Sequence, residues 1–301
     1  MTFRKFLTTL LLLFIVQQNN LAKKPVYVLT TIPELSWAIK QIAPKNFKIE
    51  ALLKPGVNAH YVDAKPSFIM KLKKADLVCS IGLGLEGAWL NRSIQRSFNE
   101  KITSNKSGHC LTGKKVKVLG SLKVSLDRSH GHLHADGNPH YWYSPSKIVE
   151  VLPYLESKIN FFIKDDILAQ NNLKIKVQTL TKKLNETEKY WKTQFSQKKY
   201  NTITQYHSDF DYYIASLGLN NVASLESKPG VPPSAEHLNK ILKITKEQKV
   251  KVILAHPWDP LKVINSLAKK IGAKSVIWPH KEKDYIKAYT AFSQQILDSM
   301  E

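Results

Sequence analysis

Short apolar segments rich in β-branched and aromatic residues alternate along this chain with longer segments whose apolar positions recur every three to four residues. The short segments predict strands and the longer segments predict helices. In the N-terminal half the pattern predicts strands at 26–30, 47–53, 76–81 and 115–119, and helices at 34–42, 66–74 and from residue 82 through Ile94. Alternation of this kind indicates a parallel sheet covered by helices on both faces.

A long stretch without this alternation separates two such halves. Residues 144–195 contain Pro145 near the start, one internal proline, Pro153, and no glycine, and residues 167–195 carry apolar side chains in helical steps. The alternation then resumes, with strands predicted at 200–206, 221–225, 250–254 and 274–278, and helices at 209–217, 234–246, 260–271 and 284–297. We therefore predict an α/β protein with two Rossmann-like lobes, each built on a parallel sheet and joined by one long rigid helix.

The predicted domains are an N-terminal lobe at 23–160, a linker helix at 161–197 and a C-terminal lobe at 198–301. Residues 1–22 combine a basic start, an 11-residue apolar run and a small-residue end at Ala22, which is typical of a secretory signal peptide. No cysteine lies near that end, so we do not expect a lipid anchor, and no later segment is apolar and long enough for membrane insertion. The expected location is the periplasm.

The charge of the chain bears on its binding partners, and its cysteines bear on a possible disulfide. The chain has 45 Lys and Arg against 24 Asp and Glu, a formal net charge of +21. The lysines are dispersed and form no Arg-rich or aromatic-interleaved motif, so we interpret them as a solvated surface and expect no nucleic-acid partner. The two cysteines, Cys79 and Cys110, could form a disulfide after export. Cys79 ends an apolar segment, however, and the sequence favours a buried free thiol over the disulfide.

Histidines supply most of the candidate chemistry. Segment 129–140 contains four of the ten histidines of the chain. His130, His132 and His134 alternate in a glycine-containing stretch without apolar periodicity, which predicts an accessory loop that binds metal weakly. His140 instead follows an Asn-Pro pair and precedes an aromatic run, which predicts a rigidly held imidazole.

The other candidate histidines follow predicted strands. His60 lies in the loop after the second strand, and His207, His256 and His280 lie at strand ends of the C-terminal half. Ligands of open parallel sheets bind beyond the carboxyl ends of the strands. Two lobes facing each other would therefore bring His60 and His140 against His207 and either His280 or His256. Neutral imidazoles suit zinc, and a closed zinc site takes four ligands.

Several segments resemble the zinc and manganese solute-binding receptors of ABC importers, in order and over nearly the whole chain after the predicted signal peptide. They are Pro55-Gly-Val-Asn-Ala-His60, Gly82-Leu-Gly-Leu-Glu86-Gly-Ala-Trp-Leu90, Asn138-Pro139-His140-Tyr-Trp142, Tyr206-His207-Ser-Asp-Phe210 and Pro232-Pro-Ser-Ala-Glu-His-Leu238. The resemblance implies two α/β lobes joined by a long rigid helix, with metal in the cleft between the lobes.

The same resemblance implies metal ligands at His60, His140 and His207. Manganese receptors tend to carry a carboxylate at the third position, so His207 favours Zn²⁺ over Mn²⁺. Many relatives carry an aspartate after the last strand, where this chain has His280, which leaves His280, His256 or water as the fourth ligand. The implied function is high-affinity capture of Zn²⁺ by a monomeric periplasmic receptor and delivery to the membrane permease of an ABC importer.

Two other functions fit part of the pattern. Residues 130–136 contain the H-x-H-x-D element of zinc hydrolases, but Gly137 stands where that motif has another histidine. A catalytic zinc also needs an open position and a placed base, for which the chain offers no candidate set. The other alternative is an adhesin that uses the same fold with a structural metal. The sequence favours a receptor that is not an enzyme.

Overall fold

Two four-stranded parallel sheets form the centres of two lobes. The computed structural model describes residues 24–120, 136–199, 201–226 and 230–300. The first sheet has the spatial order β2-β1-β3-β4 and the second the order β6-β5-β7-β8. The strands are β1 (Val26–Thr30), β2 (Phe47–Ala51), β3 (Leu77–Ser80), β4 (His109–Leu111), β5 (Thr202–Gln205), β6 (Asn220–Ser224), β7 (Val252–Ala255) and β8 (Lys274–Ile277). The predicted pair of parallel-sheet lobes is confirmed.

Helices connect successive strands and cover the sheets. They are α1 (Pro33–Ile42), α2 (Pro66–Lys74), α3 (Leu90–Ser97), α4 (Pro145–Asn160), α5 (Ile167–Ser196), α6 (Asp211–Leu217), α7 (Ala235–Glu247), α8 (Leu261–Ile271) and α9 (Tyr285–Ser299). A proline opens α1, α2 and α4, where the first N–H has no partner within the helix. The hydroxyl of Ser234 and the carboxylate of Asp284 accept backbone N–H groups at the starts of α7 and α9.

The predicted strand at 115–119 is wrong. The fourth strand lies earlier, at His109–Leu111, and a 3₁₀ turn at Thr112–Lys115 follows it. This three-residue strand has almost no alternation of its own, and its pairing with the buried β3 determines its conformation. The pairing sets Cys79 opposite Cys110, and a disulfide joins the two strands. The helix predicted from residue 82 begins at Leu90, because residues 83–89 form turns.

The connecting helix α5 is 30 residues long and contains neither glycine nor proline. It packs on α1 and α4 of the first lobe and on α6 and α9 of the second. Its buried residues recur at helical spacing: Leu173, Val177, Leu180, Leu184, Trp191 and Phe195. Glu188 adds a polar tie, because its carboxylate accepts a hydrogen bond at 2.7 Å from the hydroxyl of Ser144 before α4. An uninterrupted helix fastened to both lobes has no internal hinge.

An aromatic layer joins the lobes beneath the cleft. The ring of Tyr143 lies 5.0 Å from Phe210 and 4.8 Å from Trp278, centroid to centroid. Phe210 in turn stacks on Phe292 at 5.2 Å. Because these buried rings come from both lobes, a single hydrophobic core extends through the interface. Within the described ranges no helix is long and apolar enough to cross a membrane. The signal peptide predicted at 1–22 lies outside those ranges.

Candidate metal centre

Three imidazoles from three separate loops converge in the cleft between the lobes. His60 lies in the loop after β2, His140 immediately precedes the 3₁₀ turn Tyr141–Tyr143, and His207 follows β5. The ring centroids are 5.0 Å apart for His60 and His140, 5.5 Å for His140 and His207, and 5.8 Å for His60 and His207. One nitrogen from each ring lies within 4.8 Å of the other two, a spacing from which three side chains can hold one ion.

Two of these rings are held by the same local device. Asn58 and Asn138 each lie two residues before a histidine, in the triplets Asn-Ala-His and Asn-Pro-His. The Asn58 side-chain oxygen lies 3.0 Å from both the backbone nitrogen and Nδ1 of His60. The Asn138 oxygen lies 2.9 Å from the backbone nitrogen and 2.8 Å from Nδ1 of His140. Because the oxygen accepts the backbone N–H, we assign a proton to each Nδ1, which leaves the Nε2 lone pair for an ion.

The third ring is held by a carboxylate from another loop. Glu226, after β6, places Oε2 at 2.7 Å from Nδ1 of His207. This contact directs Nε2 of His207 away from Glu226 and into the cleft. A hydrogen-bonded oxygen on the far side of a metal-ligating imidazole fixes its tautomer and its orientation. All three histidines therefore share the arrangement typical of metal ligands.

A buried carboxylate lies beside two of the three rings, those of His140 and His207, although like His280 it is not a member of the three-histidine group. Asp209 belongs to the 3₁₀ turn Ser208–Phe210, and its side chain is 7% exposed. Its Oδ1 lies 2.8 Å from Nε2 of His140 and 3.6 Å from Nε2 of His207. The sequence prediction missed Asp209, because residue 209 lies at the start of the predicted helix 209–217 and the candidate ligands were histidines. The one available signal was its place two residues after His207 inside a segment already assigned to the site.

His256 and His280, the predicted alternatives for a fourth ligand, form a pair beside this carboxylate. Nε2 of His256 lies 3.0 Å from Oδ2 of Asp209, and Nδ1 of His256 lies 3.1 Å from Nε2 of His280. His256 is 1% exposed and is stacked between the rings of Phe210, at 4.6 Å, and Trp258, at 4.4 Å. His280 lies at the cleft but outside the three-histidine group.

A small cavity adjoins these side chains. Its volume is about 30 Å³, and its walls include His60, His140, Asp209 and His280. A second cavity of the same volume lies on the other side, against His60, His207, Asp209 and Glu226. Volumes of this order hold a single water molecule or ion rather than an organic substrate.

Burial and charge set the ionisation of the site. Burial lowers the pKa of His140, although the Asp209 carboxylate opposes this effect. Burial also acts to lower the pKa of His207, but the carboxylates of Asp209 and Glu226 outweigh it and raise this pKa to about 9. Burial alone would raise the pKa of Asp209, yet the neighbouring His140, His207 and His256 hold it well below its usual range. The site therefore contains a permanent negative charge aimed at the imidazoles.

Burial also sets the ionisation of His280. Burial lowers the pKa of His280 to about 3, so its imidazole is neutral near pH 7. Its role as a fourth ligand, like the ligand roles of His60, His140 and His207, stays a prediction. The accessory loop predicted around His130, His132 and His134 lies outside the described residues.

Comparison with known proteins places the chain in a family. Residues 28–301 match the family model for ZnuA, described as the periplasmic component A of the zinc-uptake complex. The high-affinity zinc uptake system protein ZnuA of Haemophilus ducreyi is 29% identical over 334 residues, covering 98% of this chain and 97% of that protein. The zinc-binding lipoprotein AdcA of Streptococcus pneumoniae is 23% identical over 273 residues, covering 89% of this chain.

The matched lengths and the structures agree with the family match. This chain spans about half of AdcA, 53% of its length, so AdcA contains a further part without a counterpart here. A crystal structure of ZnuA has a TM-score of 0.76 at 16% identity, covering 92% of this chain and 100% of that one, which shows the shared fold. The chain therefore belongs to the ZnuA family, the periplasmic metal-binding receptors that serve as component A of zinc-uptake ABC importers.

Proposed function

We propose that this protein captures Zn²⁺ with high affinity in the periplasm and delivers it to the membrane permease of an ABC importer. The observation that carries the proposal is the convergence of His60, His140 and His207, with one nitrogen of each ring within 4.8 Å of the others. Each ring is anchored at Nδ1 by an oxygen, so three preset Nε2 lone pairs face the same point. Zn²⁺ is the ion that the protein transports, and these residues hold it during transport.

Zn²⁺ fits this donor set better than Mn²⁺. Imidazole nitrogens suit zinc, whereas manganese in proteins favours carboxylate, carbonyl and water oxygens. The relatives ZnuA of Haemophilus ducreyi and AdcA of Streptococcus pneumoniae are named as zinc uptake and zinc-binding proteins, which supports the same ion. We extend the proposal to a weak accessory role for His130, His132 and His134 in collecting zinc.

The proposal includes receptor rather than enzyme activity. The cavities beside the histidines have volumes of about 30 Å³, a size that suits a single ion. We further propose that the protein acts as a monomer and that residues 1–22 direct its export as a signal peptide. Because α5 has no point at which it can hinge, zinc binding should leave the two lobes nearly fixed. The permease would therefore recognise the zinc-loaded receptor by the ordering of the loops around the cleft.

Metal-free protein titrated with Zn²⁺ in competition with a chromophoric chelator tests the proposal. We expect one tight site per chain, weakened by orders of magnitude in His60→Ala, His140→Ala and His207→Ala, because an incomplete set of ligands holds zinc poorly. His237→Ala, which removes an imidazole from α7 away from the cleft, is the matched control and should bind as the wild type does. Wild-type affinity in any of the three cleft variants would remove that residue from the site.

Transport and the alternatives are tested separately. A strain that lacks this protein should grow poorly only when zinc is scarce and should recover with added zinc. A hydrolase would instead cleave generic esters or phosphoesters faster than free Zn²⁺ does. An adhesin with a structural metal would bind a surface, and its removal would leave zinc uptake unchanged. Either result would contradict the proposed function.

A further inference from the structure

The position of Asp209 relative to the imidazoles is that of an additional metal ligand. Donor atoms of a tetrahedral zinc site with bonds of 2.0–2.1 Å lie about 3.3 Å apart. Oδ1 of Asp209 lies 2.8 Å from Nε2 of His140 and 3.6 Å from Nε2 of His207, which brackets that separation. These two nitrogens are the ones opposite the Nδ1 anchors, so Oδ1 lies close to the ring nitrogens that we assign to the metal.

The second oxygen of the Asp209 carboxylate contacts His256, on the side away from the metal-facing histidines. Oδ2 of Asp209 lies 3.0 Å from Nε2 of His256. The backbone N–H of His256 donates to Oδ2 of Asp259 at 2.7 Å, which fixes the loop that carries the ring. Stacking between Phe210 and Trp258 fixes the plane of the ring. His256 therefore restrains the rotation of the Asp209 carboxylate and keeps Oδ1 directed at the histidines.

The other side of the His256 ring contacts a second histidine. Nδ1 of His256 lies 3.1 Å from Nε2 of His280. This contact leaves Nε2 of His256 as the ring nitrogen beside Oδ2 of Asp209. His280 is engaged in this chain of contacts and would have to leave it in order to bind an ion directly.

We propose that Asp209 is the fourth ligand of the captured zinc ion, through Oδ1, and that His256 is the positioning residue that holds its carboxylate. This inference rests on the proposed function, because it concerns the same site. It replaces His280, His256 and water as candidates for the fourth position. Three neutral imidazoles and one carboxylate form a closed set that leaves no coordination position for water, as expected of a carrier site.

Zinc affinity of Asp209→Asn tests the ligand role, since the amide keeps the size of the side chain and removes its charge. We expect a loss of more than about 100-fold, beyond the 10–100-fold typical of residues that only support a ligand. Asp211→Asn is the matched control, because Asp211 lies in the next turn and binds Gln205 and Asn138 instead of the imidazoles. Its loss should not exceed about tenfold. Equal affinity of Asp209→Asn and wild type would overturn the inference.

A coupling measurement separates positioning by His256 from a general structural effect. His256→Ala should lower zinc affinity about 10–100-fold, and the double variant with Asp209→Asn should bind no more weakly than Asp209→Asn alone. Residues that act through the same interaction are non-additive in this way. Additive losses would show that His256 does not act through Asp209. His256→Gln, which retains an N–H donor, should recover part of the lost affinity.

The third readout is informative with the wild-type protein alone. Water bound to a zinc-like ion in a protein titrates near pH 7, whereas a carboxylate ligand does not. The visible spectrum of the Co²⁺-loaded wild type should therefore stay constant between about pH 6.5 and 8.5, and the Asp209→Asn variant should acquire a titration in that range. A titration in the wild type would identify water as the fourth ligand. Absence of tight Zn²⁺ binding by the wild type would overturn the proposed function itself.

Discussion

Removal of the Asn138 side chain should lower both zinc affinity and the stability of the metal-free fold, and the two effects can be measured separately. Its oxygen accepts hydrogen bonds from the backbone N–H and from Nδ1 of His140, at 2.9 and 2.8 Å. Its amide donates across the cleft to the Ser208 carbonyl at 2.7 Å and to Oδ2 of Asp211 at 3.0 Å. The side chain therefore orients one predicted ligand and also links the two lobes.

The magnitudes follow from these four contacts. In Asn138→Ala, loss of the oxygen that orients His140 should lower zinc affinity about 10–100-fold. Four hydrogen bonds at about 0.5–1.5 kcal/mol each contribute about 2–6 kcal/mol to stability, which the variant loses. Asn58→Ala removes only the two contacts to His60, so its affinity loss should be similar and its stability loss about half as large.

Two measurements on metal-free protein check this prediction. Denaturant unfolding gives the stability of each variant, and competition with a chelator gives its zinc affinity. Asn265→Ala, on the exposed surface of α8 where it accepts a bond from Ser275, is the control and should leave zinc affinity unchanged. Wild-type affinity in Asn138→Ala would refute the argument that anchoring at Nδ1 prepares His140 for the metal. Equal stability of the Asn138 and Asn58 variants would refute the link between the lobes.

Further outcomes concern protons, the accessory loop, the disulfide and the lobes. Because the pKa of His207 is raised to about 9, its imidazole is protonated in metal-free protein below that pH. Zinc binding near pH 7.5 should release this proton, and zinc affinity should rise with pH until about 9. Calorimetry in buffers of different ionisation enthalpy measures the proton release. The same shift stabilises the metal-free fold below about pH 6.5, and this contribution should fade between 6.5 and 9 in unfolding experiments. Deletion of residues 129–136 should remove weak zinc binding and keep the tight site. Loss of the tight site would show that this loop, and not the three clustered histidines, forms the main zinc site. Replacing both Cys79 and Cys110 by alanine opens a 31-residue loop and should lower the free energy of unfolding by about 3–4 kcal/mol. Small-angle scattering should show nearly the same radius of gyration with and without zinc, and a decrease typical of domain closure would show that α5 bends.

The pattern of the chain by itself determined the two lobes, the long connecting helix and the three clustered histidines. Strand and helix periodicities are local properties, so they can be recognised within windows of fewer than about 20 residues. The thirty-residue helix α5 was predictable for the same reason, because it lacks glycine and proline and buries a regular stripe. His60 and His207 were predictable because each lies in a recognisable segment beyond a strand, where ligands of parallel sheets gather. His140 was predictable because it lies between an Asn-Pro pair and an aromatic run.

Only the tertiary structure decided what surrounds those histidines. Asn138 meets Asp211 across 73 positions of sequence, and Asp209 lies between His140, His207 and His256 because loops of two lobes meet there. The pairing of β4 with β3, and with it the disulfide, likewise depends on a neighbouring strand. Contacts of this kind leave no local periodicity in the sequence, because they arise from packing between distant segments. The sequence therefore identified the histidines that face the cleft, while the fold placed among them the carboxylate that we propose completes the site.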